Sequence, residues 1–406
     1  MTMMSKLFAS AAVFCIAVSA QAQDVVVKGE QVHTMAGPMI EDGVVVIDDG
    51  KIVAVGPAAS TPAPEGFRVI EAKVVTPGLV DARTVVGLAG YLNQDQDQDQ
   101  LDESAPVQPQ LRAIDAYNPQ GVLVEWLRGF GITTIHTGHG PGALVSGQTM
   151  VAKTTGLTAD DAVIRPQAMV AANLGPWALA NGGKSPGTRA KQIALLRKAL
   201  LDAQAEGEEK GDKREGKSGP PSLETQVMRD VLARRTPLLV TAHRAQDIMS
   251  ALRLKEEFGI DLVLDGASEA YLLTDAIKEA GVNVILHPPM MRQYGELENA
   301  SFTTGAALRE AGIPFAYQSG YEGYVPKTRV VLWEAGIAAA NGLEWTEALA
   351  AITIDAARIV GVGDRVGSLE VGKDGDVALF DGDPFEYTSH TVGVVIDGEV
   401  VSETPQ

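Results

Sequence analysis

Val74-Val75-Thr76-Pro77-Gly78-Leu79-Val80-Asp81-Ala82-Arg83-Thr84-Val85 decides how this chain of 406 residues is read. Its apolar, β-branched part, Val74 to Val80, has the character of a buried strand, and the polar Asp81 and Arg83 follow directly. Seven more such runs lie downstream: Ile132 to His136, Met150 to Lys153, Gln167 to Ala172, Leu238 to His243, Leu262 to Asp265, Val282 to His287 and Phe315 to Gln318. Helical patterns separate several of them. Ile193, Leu196, Leu200 and Ala203 share one helix face, as do Ile248, Ala251 and Leu252. Eight strands alternating with helices predict an α/β fold, a closed (β/α)8 barrel of the TIM type. A doubly wound sheet is the alternative. No Gly-x-Gly-x-x-Gly follows the first strand, so nothing supports a dinucleotide fold.

Both ends differ from this middle. Val25 to Val27, Val44 to Ile47 and Ile52 to Val55 are short strands, with Asp42-Gly43 and Asp48-Asp49-Gly50 between them as expected hairpin turns. Val377 to Phe380, Val392 to Ile396 and Val400-Val401 repeat the character near the carboxyl end, punctuated by Gly372, Gly375, Gly382 and Asp397-Gly398. Two β-rich ends around a long middle predict one small β domain assembled from both termini.

The amino terminus reads as a signal peptide over residues 1–22. Lys6 supplies the positive charge, Leu7 to Val18 the apolar run and Ala20-Gln21-Ala22 the cleavage site, so the chain is expected to be periplasmic. Cys15, the single cysteine, lies in that segment, which leaves neither disulfides nor a thiol nucleophile after cleavage. The 33 Lys+Arg against 52 Asp+Glu give a formal net charge of −19, which argues against nucleic acid and anionic membranes as partners. Two stretches read as solvated loops: the alternating Gln94 to Gln100, and the charge-dense Glu206 to Gly219. Asp95, Asp97 and Asp99 do not make a calcium loop, because its sixth position is Gln100 instead of Gly and its twelfth is Pro106 instead of Glu.

Three pieces together resemble the amidohydrolase superfamily, in particular its exported members similar to imidazolonepropionase. They are Glu41-Asp42-Gly43-Val44-Val45-Val46 running on to Asp49-Gly50-Lys51-Ile52-Val53-Ala54-Val55-Gly56, then Val75-Thr76-Pro77-Gly78-Leu79-Val80-Asp81, and Gly367-Ser368-Leu369-Glu370-Val371-Gly372-Lys373-Asp374-Gly375-Asp376 followed by Asp381-Gly382-Asp383-Pro384 and Val395-Ile396-Asp397-Gly398. The resemblance implies a barrel over 77–362 and a composite β-sandwich over 23–76 and 363–406. It further implies hydrolysis of a non-peptide C–N bond in a small molecule, by one or two divalent ions that lower the pKa of a bound water.

The family's ligand positions are mostly occupied by other residues. Where it places His-x-His stand Arg83 and Val85, a permanent cation and a side chain with no donor atom. His243 keeps the fifth-strand ligand position and is the one metal candidate retained; Asp265 stands for the sixth-strand His and Gly320 for the eighth-strand Asp. No carboxylate or Lys lies near Ala171 or Ala172. The candidate catalytic set is Asp81, Arg83, His243 and Asp265, and the candidate ligand-binding set is His136, His139, His287, Gln318 and Ser319.

Three readings of these histidines stand side by side: structural bonds to nearby carbonyls, a metal-free ligand pocket in which Arg83 supplies the positive charge, or a rebuilt site for one divalent ion such as zinc. Arg83 is expected to pair with Asp81 or Asp265. Lys153 and Ser146-Gly147-Gln148 read as loop packing or substrate contacts. The functional alternatives are a hydrolase or a catalytically degenerate, metal-free member that binds a ligand or serves as partner subunit of an active paralogue. A homo-oligomer, or pairing with a homologous amidohydrolase, accompanies either. No Gly-x-Ser-x-Gly, Gly-x-x-x-x-Gly-Lys or His-Glu-x-x-His is present, and nothing local marks Ser319 as a nucleophile.

Overall fold

The apolar runs become strands in the computed structural model, which describes residues 24–92, 94–180, 182–208, 221–290, 295–320 and 330–406. The expected signal peptide lies outside them. At the amino end are β1 (Val25–Val32), β2 (Ile40–Asp48), β3 (Lys51–Pro57) and β4 (Arg68–Pro77). The middle supplies β5 (Leu79–Thr84), β6 (Ile132–Thr137), β7 (Val145–Gln148), β8 (Met150–Lys153), β9 (Val163–Arg165) and β10 (Val170–Asn173). It continues with β11 (Leu238–Ala242), β12 (Leu262–Gly266), β13 (Asn283–Leu286) and β14 (Phe315–Tyr317). The carboxyl end adds β15 (Val377–Phe380), β16 (Thr391–Ile396) and β17 (Glu399–Ser402).

The two ends meet in one seven-stranded sheet of order β17-β16-β15-β4-β1-β2-β3. The pairing of β4 with β15, Val75 opposite Leu379, joins residues from opposite ends of the chain. Asp49 and Gly50, both at positive φ, turn β2 into β3 as expected. Asp42-Gly43 does not turn. It lies within β2, and a Cβ on Gly43 would come 2.5 Å from Val32 Cγ2, so glycine there permits close strand pairing.

The expected strand Val74 to Val80 is in fact two strands. Val74 to Pro77 end β4 in the terminal sheet, Gly78 donates its N–H to Asp376 O at 2.9 Å, and β5 begins at Leu79. Pro77 cannot donate to a ladder, so a change of sheet at this dipeptide breaks little.

The middle strands form two sheets, β5-β6-β8-β9 and β14-β13-β12-β11-β10-β7. The pairs from β10 to β14 are parallel, as is β5 with β6. The third expected strand, β8, instead runs antiparallel to β6. No helix lies between β6 and β8, and a parallel return would need a long crossover. Thr149 sits where the chain passes from β7 to β8 and ties the sheets together: its N–H reaches Met169 O and its carbonyl takes the N–H of Ala168, both at 2.8 Å. A parallel bridge between Thr84 and Gly320 joins the other edges. All the parallel strands therefore end on one side.

The helices cover these sheets as their spacing predicts. Leu196, Leu200 and Ala203 on the helix Arg189–Glu208, and Ile248, Ala251 and Leu252 on Ala245–Phe258, are buried in one core with Val170, Leu238, Val240 and Leu264. Each such leucine contributes about 1.5–3 kcal/mol. The charge-dense run was expected to loop from Glu206, yet Glu206 to Glu208 complete the last turn of their helix, and the remainder lies outside the described residues. Among the described residues no helix is long and apolar enough to cross a membrane.

Lys153 is engaged within the protein. At the end of β8 it is buried among Asp376 at 2.6 Å, Asp374 at 3.0 Å and Asp397 at 3.1 Å, an ion cluster joining the middle strands to the terminal sheet. Gln148 likewise packs, donating to Pro109 O at 2.9 Å.

Candidate functional site at the carboxyl ends of the strands

Asp81 and Arg83 are two apart on β5 and both are buried. Asp81 Oδ1 accepts the N–H of Ser319 at 3.0 Å and that of Arg83 at 3.2 Å, while Oδ2 accepts the Ser319 hydroxyl at 2.5 Å. Burial pushes the Asp81 carboxyl up to about 7, against the pull of the Ser319 bonds and the nearby guanidinium. Arg83, 2% exposed, donates to Thr84 O at 2.9 Å and to His139 O. Both of these bonds reach backbone carbonyls, and its effect on Asp81 includes the charge acting through space.

His136, on β6, has both ring nitrogens engaged. Nδ1 lies 2.7 Å from Ala82 O, which can only accept, so Nδ1 carries the proton and Nε2 accepts the Thr149 hydroxyl at 2.6 Å. Burial, then Arg83, lowers its pKa to about 3. It is a satisfied neutral core histidine. His139, just past β6, is held under the long segment that follows β5: Gly140 donates to Gln100 O, and Val107 and Arg112 bridge to Val145 and Gln148. His139 Nδ1 has no hydrogen-bond partner among the described residues. Burial and Arg83 lower its pKa to about 4.

His243 follows β11 directly. Its Nδ1 is 2.7 Å from Ser268 Oγ, and the Ser268 hydroxyl also points at His287 O, 3.4 Å away. Nε2 has no partner among the described residues. Burial lowers the His243 pKa to about 4, although Asp265 and Glu269 oppose the shift. The ring packs edge-on against Trp177, with centroids 5.0 Å apart, and Trp177 is itself 40% exposed. Gly266, at φ +76°, gives the imidazole room: a Cβ there would come 2.5 Å from His243 Cε1.

Asp265, on β12, accepts the Thr241 hydroxyl at 2.6 Å and the Gln318 amide at 2.5 Å. Gln318 also donates to Ile285 O at 3.1 Å, and its Oε1 has no partner among the described residues. His287, after β13, approaches Glu334 at 3.7 Å. Beyond Trp177, Arg189 bridges Asp247 at 3.0 Å and Glu296 at 3.2 Å.

The hydrogen bonds and strand ends thus bring together two groups. Asp81, Arg83 and Ser319 form one with His139, and Asp265 and Gln318 form another beside His243. His136 faces a neighbouring strand. Sequence reasoning missed Ser268, Thr241, Thr149 and Trp177. Only Trp177, in Gly175-Pro176-Trp177 just past a strand end, carried a local signal, an aromatic residue on a loop where ligands approach. Chemically, His243 Nε2, His139 Nδ1 and Gln318 Oε1 are buried polar atoms without a partner among the described residues, and the imidazoles are neutral at pH 7.

A mixed α/β chain with its polar groups at the carboxyl ends of parallel strands, and a sheet built from both termini, has the layout in which barrel-type proteins place their ligand sites. The amidohydrolase family matches residues 88–402, and this chain belongs to it. It is 26% identical over 391 residues to an imidazolonepropionase of Rhizorhabdus wittichii, covering 86% of this chain and 91% of that one. To an imidazolonepropionase of Sphingopyxis alaskensis it is 27% identical over 394 residues, covering 87% and 91%. The structure resembles an amidohydrolase of Thermotoga maritima with a TM-score of 0.87 at 26% identity, over 94% of this chain and all of that one. Such neighbours imply a TIM-like barrel with an additional domain.

Proposed function

We propose that this amidohydrolase-family chain hydrolyses a non-peptide C–N bond, such as that of an amide, lactam or urea, in a small molecule held where β5, β6 and β11 to β14 end. The near full-length likeness to imidazolonepropionases supports the bond class. The observation that carries the location is the Nε2 of buried His243, without a partner among the described residues and oriented through Nδ1 by Ser268. A neutral imidazole so held accepts a proton or a ligand N–H, His139 Nδ1 and Gln318 Oε1 offer further polar contacts, and Trp177 limits water access. Asp81, with a pKa near neutrality, is the group able to exchange a proton at working pH.

A closed eight-stranded barrel over 77–362, a composite sandwich over 23–76 and 363–406, periplasmic export by cleavage after Ala22, and self-association or pairing with a homologous amidohydrolase belong to the same reading. The test is a panel of small cyclic and linear amides and ureas, followed by amine or acid release with wild type and H243A. Release by wild type alone supports the proposal. Ligands that raise the melting temperature without being cleaved favour the second reading, a binding protein without hydrolysis. Its support is that Asp81 and Asp265 each have both carboxylate oxygens bonded within the protein.

A further inference from the structure

We infer that this mouth works without a metal ion and that the buried guanidinium of Arg83 is its fixed cation. The inference concerns the site proposed above but is read without any substrate, so either can fail alone. The family implies one or two divalent ions at these strand ends, and the test of fit is which donor atoms stand there and how far they are already engaged within the protein. Val85 is buried and has no donor, and a guanidinium has no lone pair to give. Asp81 receives Ser319 on one oxygen, and Ser319 and Arg83 N–H on the other. Asp265 receives Thr241 and Gln318, and both nitrogens of His136 are bonded.

His243 Nε2, His139 Nδ1 and Gln318 Oε1 have no partner among the described residues, but His139 belongs to one group and His243 and Gln318 to the other, so neither group offers the three donors that a metal site needs. Among the described residues no group of three or more His, Cys, Asp or Glu side chains is arranged to hold an ion. Arg83 meanwhile links the end of β5 to the loop after β6 through Thr84 O and His139 O. A divalent ion brought beside this buried permanent charge would be repelled.

The experiment takes the purified protein, prepared without chelators, and measures zinc, iron, manganese and cobalt by elemental analysis. Melting is followed alone, with dipicolinate and with added zinc. The expected result is fewer than about one metal ion per ten chains. The melting temperature should stay within about 1 °C throughout, because a tightly held ion would stabilise by mass action. R83M should melt well below wild type, and R83K, which keeps the charge, should recover part of the loss. One or two ions per chain that vanish in H243A, with melting lowered by dipicolinate, would overturn the inference. So would an R83M protein as stable as wild type. The metal count of the wild-type protein decides the matter even where a variant fails to fold.

Discussion

Ser319 donates twice to Asp81, its backbone N–H reaching Oδ1 at 3.0 Å and its hydroxyl reaching Oδ2 at 2.5 Å, across 238 positions of sequence. The two bonds join the end of β14 to β5, beside the β-bridge between Thr84 and Gly320. Asp81 is a joint in the wall as well as a titrating group.

That double role gives a pH signature. Asp81 holds its proton to about pH 7 when folded and releases it near 4 when unfolded, so its stabilising contribution is complete below pH 4 and is lost as pH rises toward 7. A shift of this size corresponds to up to about 4 kcal/mol. D81N, uncharged throughout, should therefore gain on wild type between pH 4 and 7. Urea unfolding at the two ends of that window measures the gap, and a gap independent of pH would contradict the assignment.

His136 and His243 should respond in opposite ways. H136A removes the bonds to Ala82 O and to the Thr149 hydroxyl and opens a cavity, costing about 3 kcal/mol of stability with ligand affinity nearly unchanged. H243A should lower stability by less and abolish ligand-induced stabilisation. Chemical denaturation and ligand titration on both variants separate the roles.

Gly266 is the space in which the His243 ring lies. G266A combines a positive φ of +76° with a contact of 2.5 Å against Cε1, so it should cost about 1–3 kcal/mol and displace the imidazole. Ligand affinity should drop along with stability, whereas G281A, at φ +60° in open space, should lose only stability.

Lys153 tests the joint between the middle strands and the terminal sheet. K153M leaves Asp374, Asp376 and Asp397 facing one another without their shared buried cation, and should destabilise by about 3–5 kcal/mol. Folded K153M protein should bind ligand like wild type, which differential scanning calorimetry and titration can establish together.

What the sequence by itself determined was whatever depends on near neighbours. The apolar runs became strands, Leu196 and Leu200 faced the core, Asp49-Gly50 turned, and polar residues closed the strands at Asp81, His243 and Asp265, because two-residue and 3.6-residue periods are local properties. The family resemblance of the two ends rested on such local motifs as well.

Only the tertiary structure decided the rest. Whether Val74 to Val80 is one strand or two depends on the hydrogen bond from Gly78 to Asp376, and whether a histidine is spent or available depends on what lies beside it in space. His136 and His243 look alike in sequence. One meets Ala82 and Thr149 on both nitrogens, and the other meets Ser268 on one. A side chain's chemistry at a strand end is set by partners from distant parts of the chain, and no local pattern records which partners those are.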